Sequence, residues 1–264
     1  MDVKTLTILG GTNKNGQKEE VNLTCTAGDV ICVVGPTGSG KSRFLSDIEA
    51  LAQGDTVSGR CVLVNGSAID PAAEGAFGQK TVAQLSQQMN FVMDLAVEDF
   101  LLLHAESRLV PDADVMVGTI LAAANDLAGE KFTGKVSVTQ LSGGQSRALM
   151  IADTALLSPS PIVLIDEIEN AGINRRRALE LLVKKEKITF IATHDPVLAL
   201  MGTRRIFFRD GGIVGIIVPD DAERESAVYV QQVDDLWVNW REKIRNGELL
   251  HINPEDWGKS AFTE

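Results

Sequence analysis

The stretch Val30-Ile31-Cys32-Val33-Val34-Gly35-Pro36-Thr37-Gly38-Ser39-Gly40-Lys41-Ser42 decides the fold. Five apolar residues bounded by glycine read as a strand buried on both faces. A helix-like stretch, 41–52, follows. Between them two glycines, Gly35 and Gly40, enclose Pro36, Thr37, Gly38 and Ser39, and Lys41-Ser42 close the run. That is the P-loop pattern in its proper strand-to-helix setting. Glycines let backbone N–H groups turn inward around phosphates, and a helix N-terminus adds partial positive charge. Lys41 is suited to the β/γ-phosphates and the Ser42 hydroxyl to Mg²⁺. A glycine turn without a ligand is the bland alternative, and the Lys-Ser ending argues against it.

Working outward, 161–165 and 188–193 are further apolar strands. The first runs into Asp166-Glu167 and the second into His194. Successive strand residues point opposite ways, so the two acids can divide labour: Asp166 on metal, Glu167 on an attacking water. Strands are also expected at 5–9, 21–26, 29–34 and 59–64, and a hairpin joins 205–208 to 213–218 through Asp210-Gly211-Gly212. Helices are expected through 90–131, 145–157 and 174–185. Strands alternating with helices indicate an α/β sheet, with the middle helical stretch inserted into it.

The bulk numbers exclude several classes. The chain has 264 residues, 44% apolar and 23% charged, so it is not disordered as a whole. Its longest charge-free stretch, 81–93, has 13 residues, and a membrane span needs about 20. No basic start followed by an apolar run marks a signal peptide. Cys25, Cys32 and Cys61 lack metal-ligand spacing and read as core thiols in a reducing cytoplasm. The net charge of −11 argues against non-specific nucleic-acid binding.

Leu141-Ser142-Gly143-Gly144-Gln145 narrows the reading. It resembles the signature motif of ATP-binding cassette ATPases, and the order of motifs along the chain is also theirs. Gln87 matches the family's Q-loop glutamine, with Gln88 as the fallback, and His194 resembles its switch histidine. The resemblance covers about residues 3–218. It implies an α/β P-loop NTPase core with an N-terminal antiparallel β-subdomain. Residues 1–218 would form the cassette, with a helical subdomain inserted at about 88–145, and 219–264 a helical tail. It further implies ATP and Mg²⁺ as ligands and a head-to-tail dimer. Each P-loop, 35–42, would then hold ATP against Ser142, Gly143, Gly144 and Gln145 of a second copy. Ser42, Gln87 and Asp166 would serve the metal, Glu167 would polarise water, and His194 would hold the γ-phosphate and that water in line. The expected role is the nucleotide-binding subunit of a transporter with separate membrane subunits, cytoplasmic or peripheral at the inner membrane face. The alternative is a soluble cassette ATPase that remodels or activates a protein partner.

The tail holds every Trp and the single Tyr, and 219–264 carries 11 acids against 5 bases. Tyr229, Val233, Leu236, Trp237, Trp240 and Ile244 follow one another at steps of 4, 3, 1, 3 and 4, one face of a helix. This stripe is expected to dock on the chain's own cassette, with a dimer or partner surface as the alternative. Arg175-Arg176-Arg177 and Lys184-Lys185 bracket a helix and read as a solvated face.

Some positions depart from the family pattern. Ile173 or Asn174 stands where a coupling Asp is usual, and Asp153 where Arg is common. Arg43 replaces a usual Thr or Ser; it adds a cation near the α-phosphate or faces solvent, the latter favoured. Thr12 occupies the place of an adenine-stacking aromatic, and no aromatic precedes Phe44. Loss of a stacking ring removes about 1–3 kcal/mol of base contact, so phosphates should dominate affinity. In a competition titration, ATP and GTP should therefore displace a labelled nucleotide at similar concentrations; a strong adenine preference would refute this.

Overall fold

A computed structural model of the chain describes residues 3–69, 80–86, 91–166 and 172–252. Its strands are β1 (Thr5–Leu9), β2 (Leu23–Thr26), β3 (Val30–Val34), β4 (Cys61–Val64), β5 (Val82–Leu85), β6 (Ile162–Asp166), β7 (Ile188–Ala192), β8 (Arg204–Arg209) and β9 (Gly212–Ile217). Its helices are α1 (Lys41–Glu49), α2 (Val97–Ser107), α3 (Ala113–Leu127), α4 (Gly143–Leu156), α5 (Arg175–Val183), α6 (Pro196–Met201) and α7 (Asp221–Arg245).

Two sheets form. A three-stranded antiparallel sheet runs in the order β2-β1-β4, and a six-stranded sheet runs β5-β6-β7-β3-β8-β9. All neighbours in the larger sheet are parallel except β8 and β9. The sequence patterns explain this division. In β2, Leu23 and Cys25 are buried and Thr24 and Thr26 exposed, the alternation of a sheet with one wet face. β3, β6 and β7 are apolar nearly throughout and buried on both faces. β8 and β9 close on a turn in which Asp210 and Gly211 both take positive φ, the geometry favoured in tight hairpins.

One core lies between the two sheets around α1, with Phe44 packed edge-on to Phe190 and tilted against Phe208. A separate cluster joins α2, α3 and α4 through Val97, Phe100, Leu101, Ile120, Ala124 and Leu149. The helical reading of 90–131 resolves into two helices, because the α2 C-cap region ends at Pro111, which cannot donate to a helix interior. The composition reading passed over β5 and α6. β5 is four residues long and exists through pairing with β6. α6 did carry local signals: Asp195 caps it, accepting from the Leu198 N–H, and Pro196 opens it.

A buried ion cluster ties the two sheets together. Arg60 is 0% exposed. Its guanidinium donates to Glu19 at 2.6 and 2.9 Å, to Asp47 of α1 at 2.8 Å and to the Gly211 carbonyl at 2.9 Å. It also lies 5.5 Å from the ring centres of both Phe44 and Phe208. Burial alone would push the Glu19 carboxyl up. The Arg60 hydrogen bond, the N–H groups of Gly11 and Ile213 and the Arg60 charge together hold it below its ordinary value.

α7 docks by a polar face: Glu223 accepts from Arg205 at 2.5 Å, and Asp234 pairs with Arg175. No residue of α7 is more than partly buried; of the stripe, Tyr229, Trp237 and Ile244 are exposed and Val233, Leu236 and Trp240 half-buried. At about 100° per residue, the centre of the stripe lies roughly 100° around the helix from Glu223 and Asp234, with Trp237 within about 60° of both. Charge pairs with Arg175 and Arg205 fasten α7 to the cassette.

Replacing Arg60 with Met would leave Glu19 and Asp47 buried without their cation. The expected loss is about 3–5 kcal/mol of unfolding free energy, read by denaturant titration. The folded Glu19 carboxyl titrates below its unfolded value. Its contribution is therefore complete above the ordinary carboxylate range and is lost as pH falls through the lowered folded value. The gap between wild type and Arg60→Met should narrow over that same acid limb.

Candidate active site

β3, β7 and β6 lie side by side and run parallel, so their carboxyl ends share one edge. Val33 stands opposite Ala192, and Ala192 opposite Asp166. The chain leaves β3 into the glycine loop 35–40, leaves β7 into Thr193-His194, and β6 ends on Asp166 itself. Three stretches far apart in sequence thus meet where ligands of open parallel sheets bind.

The loop requires its glycines for different reasons. Gly35, Gly38 and Gly40 take φ of 149°, 75° and 109°. A Cβ on Gly35 would stand 2.6 Å from the Phe208 carbonyl oxygen, and one on Gly40 would stand 2.9 Å from the Gly211 Cα. At Gly38 a Cβ meets nothing within 4 Å. The back of the loop is therefore pressed against the β8–β9 turn, where the Gly211 N–H donates to the Ser39 carbonyl at 2.8 Å.

Lys41 is nearly buried at the start of α1. Its Nζ donates to the carbonyls of Gly35 at 2.8 Å and Pro36 at 3.2 Å, and lies 3.2 Å from His194 Nε2. An ammonium only donates, so Nε2 accepts here and the ring proton sits on Nδ1. The Ser39 hydroxyl is buried in the loop with no hydrogen-bond partner among the described residues. An orphaned donor beside a lysine and a helix N-terminus fits an anionic, oxygen-rich ligand. Pro36, Thr37, Ser42 and Arg43 are accessible, Arg43 facing solvent. Ser42 and Asp166 bring oxygen donors to this edge, the ligand type Mg²⁺ takes. Gln87, Gln88 and Glu167 lie outside the described residues.

Lys14 is a loop contact that sequence reasoning missed. Its Nζ donates to the Gly38 carbonyl at 2.7 Å, and its backbone N–H donates to Asp210 at 2.7 Å. The only local signal was a lysine inside an Asn- and Gly-rich turn. Arg175 is the second: it pairs with both Asp195, the residue after His194, and Asp234 of α7. Of the basic run expected to be solvated, Arg176 and Arg177 are exposed, while Arg175 joins two elements. Asn174, one of the two residues at the place of the usual coupling Asp, caps α5 by accepting from the Arg177 N–H at 3.1 Å. Asp153 is buried and pairs with His104 of α2 at 3.2 Å.

The Leu141–Gln145 motif opens α4, which starts at Gly143, two residues earlier than expected. Ser142 and Gln145 form a reciprocal capping box: the Ser142 Oγ accepts from the Gln145 N–H, and the Gln145 Oε1 accepts from the Ser142 N–H. A Cβ on Gly143 would meet nothing within 4 Å, so packing inside the chain does not demand glycine there.

Comparisons with known proteins identify the family. The family model described as ABC transporter matches residues 18–170. An ABC transporter ATP-binding protein of Methanocaldococcus jannaschii is 51% identical over 251 residues, covering 95% of this chain and 96% of that protein. Among solved structures, a dimeric ATP-binding cassette in a post-hydrolysis state, bound to ADP and Pi, superposes with a TM-score of 0.60. That pair shares 23% identity and covers 81% of this chain and 98% of the other. A protein of Clostridium perfringens, part of the cbiONQ ABC transporter complex, superposes with a TM-score of 0.61 at 20% identity, covering 87% and 94%. At those identities the two structures share the fold.

The loop geometry orders two substitutions. Gly38→Ala meets only the left-handed backbone cost, about 1 kcal/mol. Gly40→Ala adds the collision with Gly211 and should lower nucleotide affinity further, by titration with a fluorescent ATP analogue. Equal losses would refute the packing argument.

Proposed function

This chain belongs to the ABC transporter family of ATP-binding proteins, and on that premise we propose that it is the ATP-hydrolysing subunit of a transporter whose membrane-spanning subunits are separate chains. It is an ABC-type ATPase. The observation that carries the reading is the meeting of the glycine loop, Asp166 and His194 at one sheet edge.

In the proposed cycle, the loop N–H groups and Lys41 hold the β- and γ-phosphates of ATP. Lys41 turns its donors from the Gly35 and Pro36 carbonyls to phosphate oxygens. Ser42, Asp166 and Gln87 would hold Mg²⁺, which supplies charge neutralisation on those oxygens. Glu167 accepts the proton of a water whose oxygen bonds to the γ-phosphorus, and the bond to the β–γ bridging oxygen breaks, giving ADP and phosphate. His194, released from Lys41, keeps the γ-phosphate and water in line. Arg43 takes no part.

A second copy completes the site. Its Ser142 hydroxyl and the N–H groups of Gly143 and Gly144 would donate to the γ-phosphate, with Gln145 holding the helix start. The open space at Gly143 supports this, because a glycine unused by its own chain suits close approach by another. ATP then stabilises the dimer and hydrolysis releases it. Among the described residues no helix is long and apolar enough to cross a membrane; separate membrane subunits, with this chain peripheral at the inner face, accord with that. The second reading, a cassette ATPase acting on a soluble protein partner, is favoured by one observation, the exposure of Trp237 and Ile244 on α7.

Glu167→Gln should lower turnover roughly 10²–10⁴-fold while trapping an ATP-dependent dimer, measured by phosphate release and by sedimentation with ATP. An unchanged rate would overturn the assignment. Membrane subunits co-purifying with the trapped dimer support transport; a soluble enzyme there supports the second reading. Gly143→Arg should leave folding and ATP binding by the monomer intact and abolish turnover.

A further inference from the structure

The glycine loop has two flanks, because β3, which feeds it, lies between β7 and β8. On the β7 flank stand His194, 3.2 Å from the Lys41 ammonium, and Asp166 at the end of β6. On the β8 flank stands the Asp210-Gly211 turn, whose Gly211 N–H donates to the Ser39 carbonyl at 2.8 Å. In the proposed cycle the γ-phosphate lies on the β7 flank, beside Lys41 and His194. The α-phosphate and the nucleoside then lead away toward the β8 flank, to which the cycle assigns no side chain.

Lys14 occupies that flank and is fixed there by three contacts. Its backbone N–H donates to the Asp210 carbonyl at 2.7 Å. Its stem lies along the turn: a Cβ built on Gly211 would stand 2.8 Å from the Lys14 Cγ and 3.6 Å from its Cδ. Its Nζ donates to the Gly38 carbonyl at 2.7 Å. The loop that carries it is folded on itself, the Asn13 side chain accepting from the N–H groups of Asn15 at 2.9 Å and Gln17 at 3.0 Å. The side chain is nonetheless exposed, and a Cβ on Gly38 meets nothing within 4 Å, so the space before the loop tip is open. A long side chain ordered in advance loses little rotamer freedom on meeting a ligand.

We propose that Lys14 is the nucleoside contact of this site: the purine base lies on its methylene stem and ammonium, while the ammonium keeps its bond to the Gly38 carbonyl. This inference rests on the ATPase reading and adds a residue to it. The chemistry suits a base. A cation over a π face is attracted by the ring quadrupole, and a lysine stem covers apolar surface while its head stays wet. An ammonium has three donors, so one stays on Gly38 while another meets a ribose oxygen or a ring nitrogen. No aromatic precedes Phe44, and Phe44 is itself buried in the core, so the first 44 residues offer the base no ring. Adenine and guanine both present a π face and an N7 acceptor, so the contact does not choose between them.

The test separates base from phosphate. Titration calorimetry of the full chain with ATP, GTP and inorganic tripolyphosphate, each with Mg²⁺, reads the three affinities. Lys14→Ala should weaken ATP and GTP alike, roughly 5-fold, the size of an exposed cation–π contact, and leave tripolyphosphate unchanged. Lys14→Arg should restore both nucleotides, because a guanidinium stacks on a ring and still donates to the carbonyl. Equal weakening of tripolyphosphate overturns the proposal, since Lys14 would then act only on the phosphates or the loop. So does a nucleotide affinity indifferent to Lys14→Ala, or one that Lys14→Arg fails to restore. A wild-type chain that binds neither nucleotide overturns this inference and the ATPase reading together. Unchanged turnover in Glu167→Gln overturns the ATPase reading alone.

Discussion

A single guanidinium holds the nucleotide edge in shape. Arg60 leaves the three-stranded sheet side of the molecule and bonds at once to Glu19, to Asp47 on α1 and to the carbonyl of Gly211. Asp47 belongs to the helix that the glycine loop opens, and Gly211 is the residue on which Gly40 rests and whose N–H holds Ser39. A buried ion cluster of this kind adds little net stability compared with an apolar replacement, yet it is costly to break by halves. Its effect here is positional. It keeps the β8–β9 turn against the loop, at the edge where Asp166 and His194 stand.

The same edge explains how residues of ordinary type acquire a task. His194 has no distinguishing neighbours in sequence beyond an apolar strand and a capping Asp. Its significance comes from β7 lying between β3 and β6, which sets its Nε2 3.2 Å from the Lys41 ammonium. Arg175 extends this link outward, joining Asp195 to Asp234 of α7. The tail is thereby fastened to the residue that follows the histidine.

Much of this was legible beforehand. The loop 35–42 is recognisable because phosphate binding demands glycines and a lysine at fixed spacing along one continuous stretch. The buried strands are recognisable because burial on both faces leaves no room for polar alternation. Where reading fell short, the cause was non-local. β5 is a strand because β6 accepts it, and Lys14 touches the loop because the Asp210 carbonyl holds its backbone there. The apolar stripe at 229–244 is one face of a helix, as its spacing implies, while the ion pairs that fasten that helix to the cassette join residues far apart in sequence.

The sequence by itself determined the elements, the motif order and the family, because those depend on short-range patterns: periodicity, glycine placement and caps at helix starts. It also contains the apolar stripe of α7, which needs only helical geometry to be read. Only the tertiary structure decided which glycines are forced by packing, which cation fastens the loop, and which face of α7 meets the cassette. Those depend on distances between residues such as Arg60 and Gly211, or Arg175 and Asp234, which no local pattern encodes because their approach is set by sheet order and not by spacing along the chain.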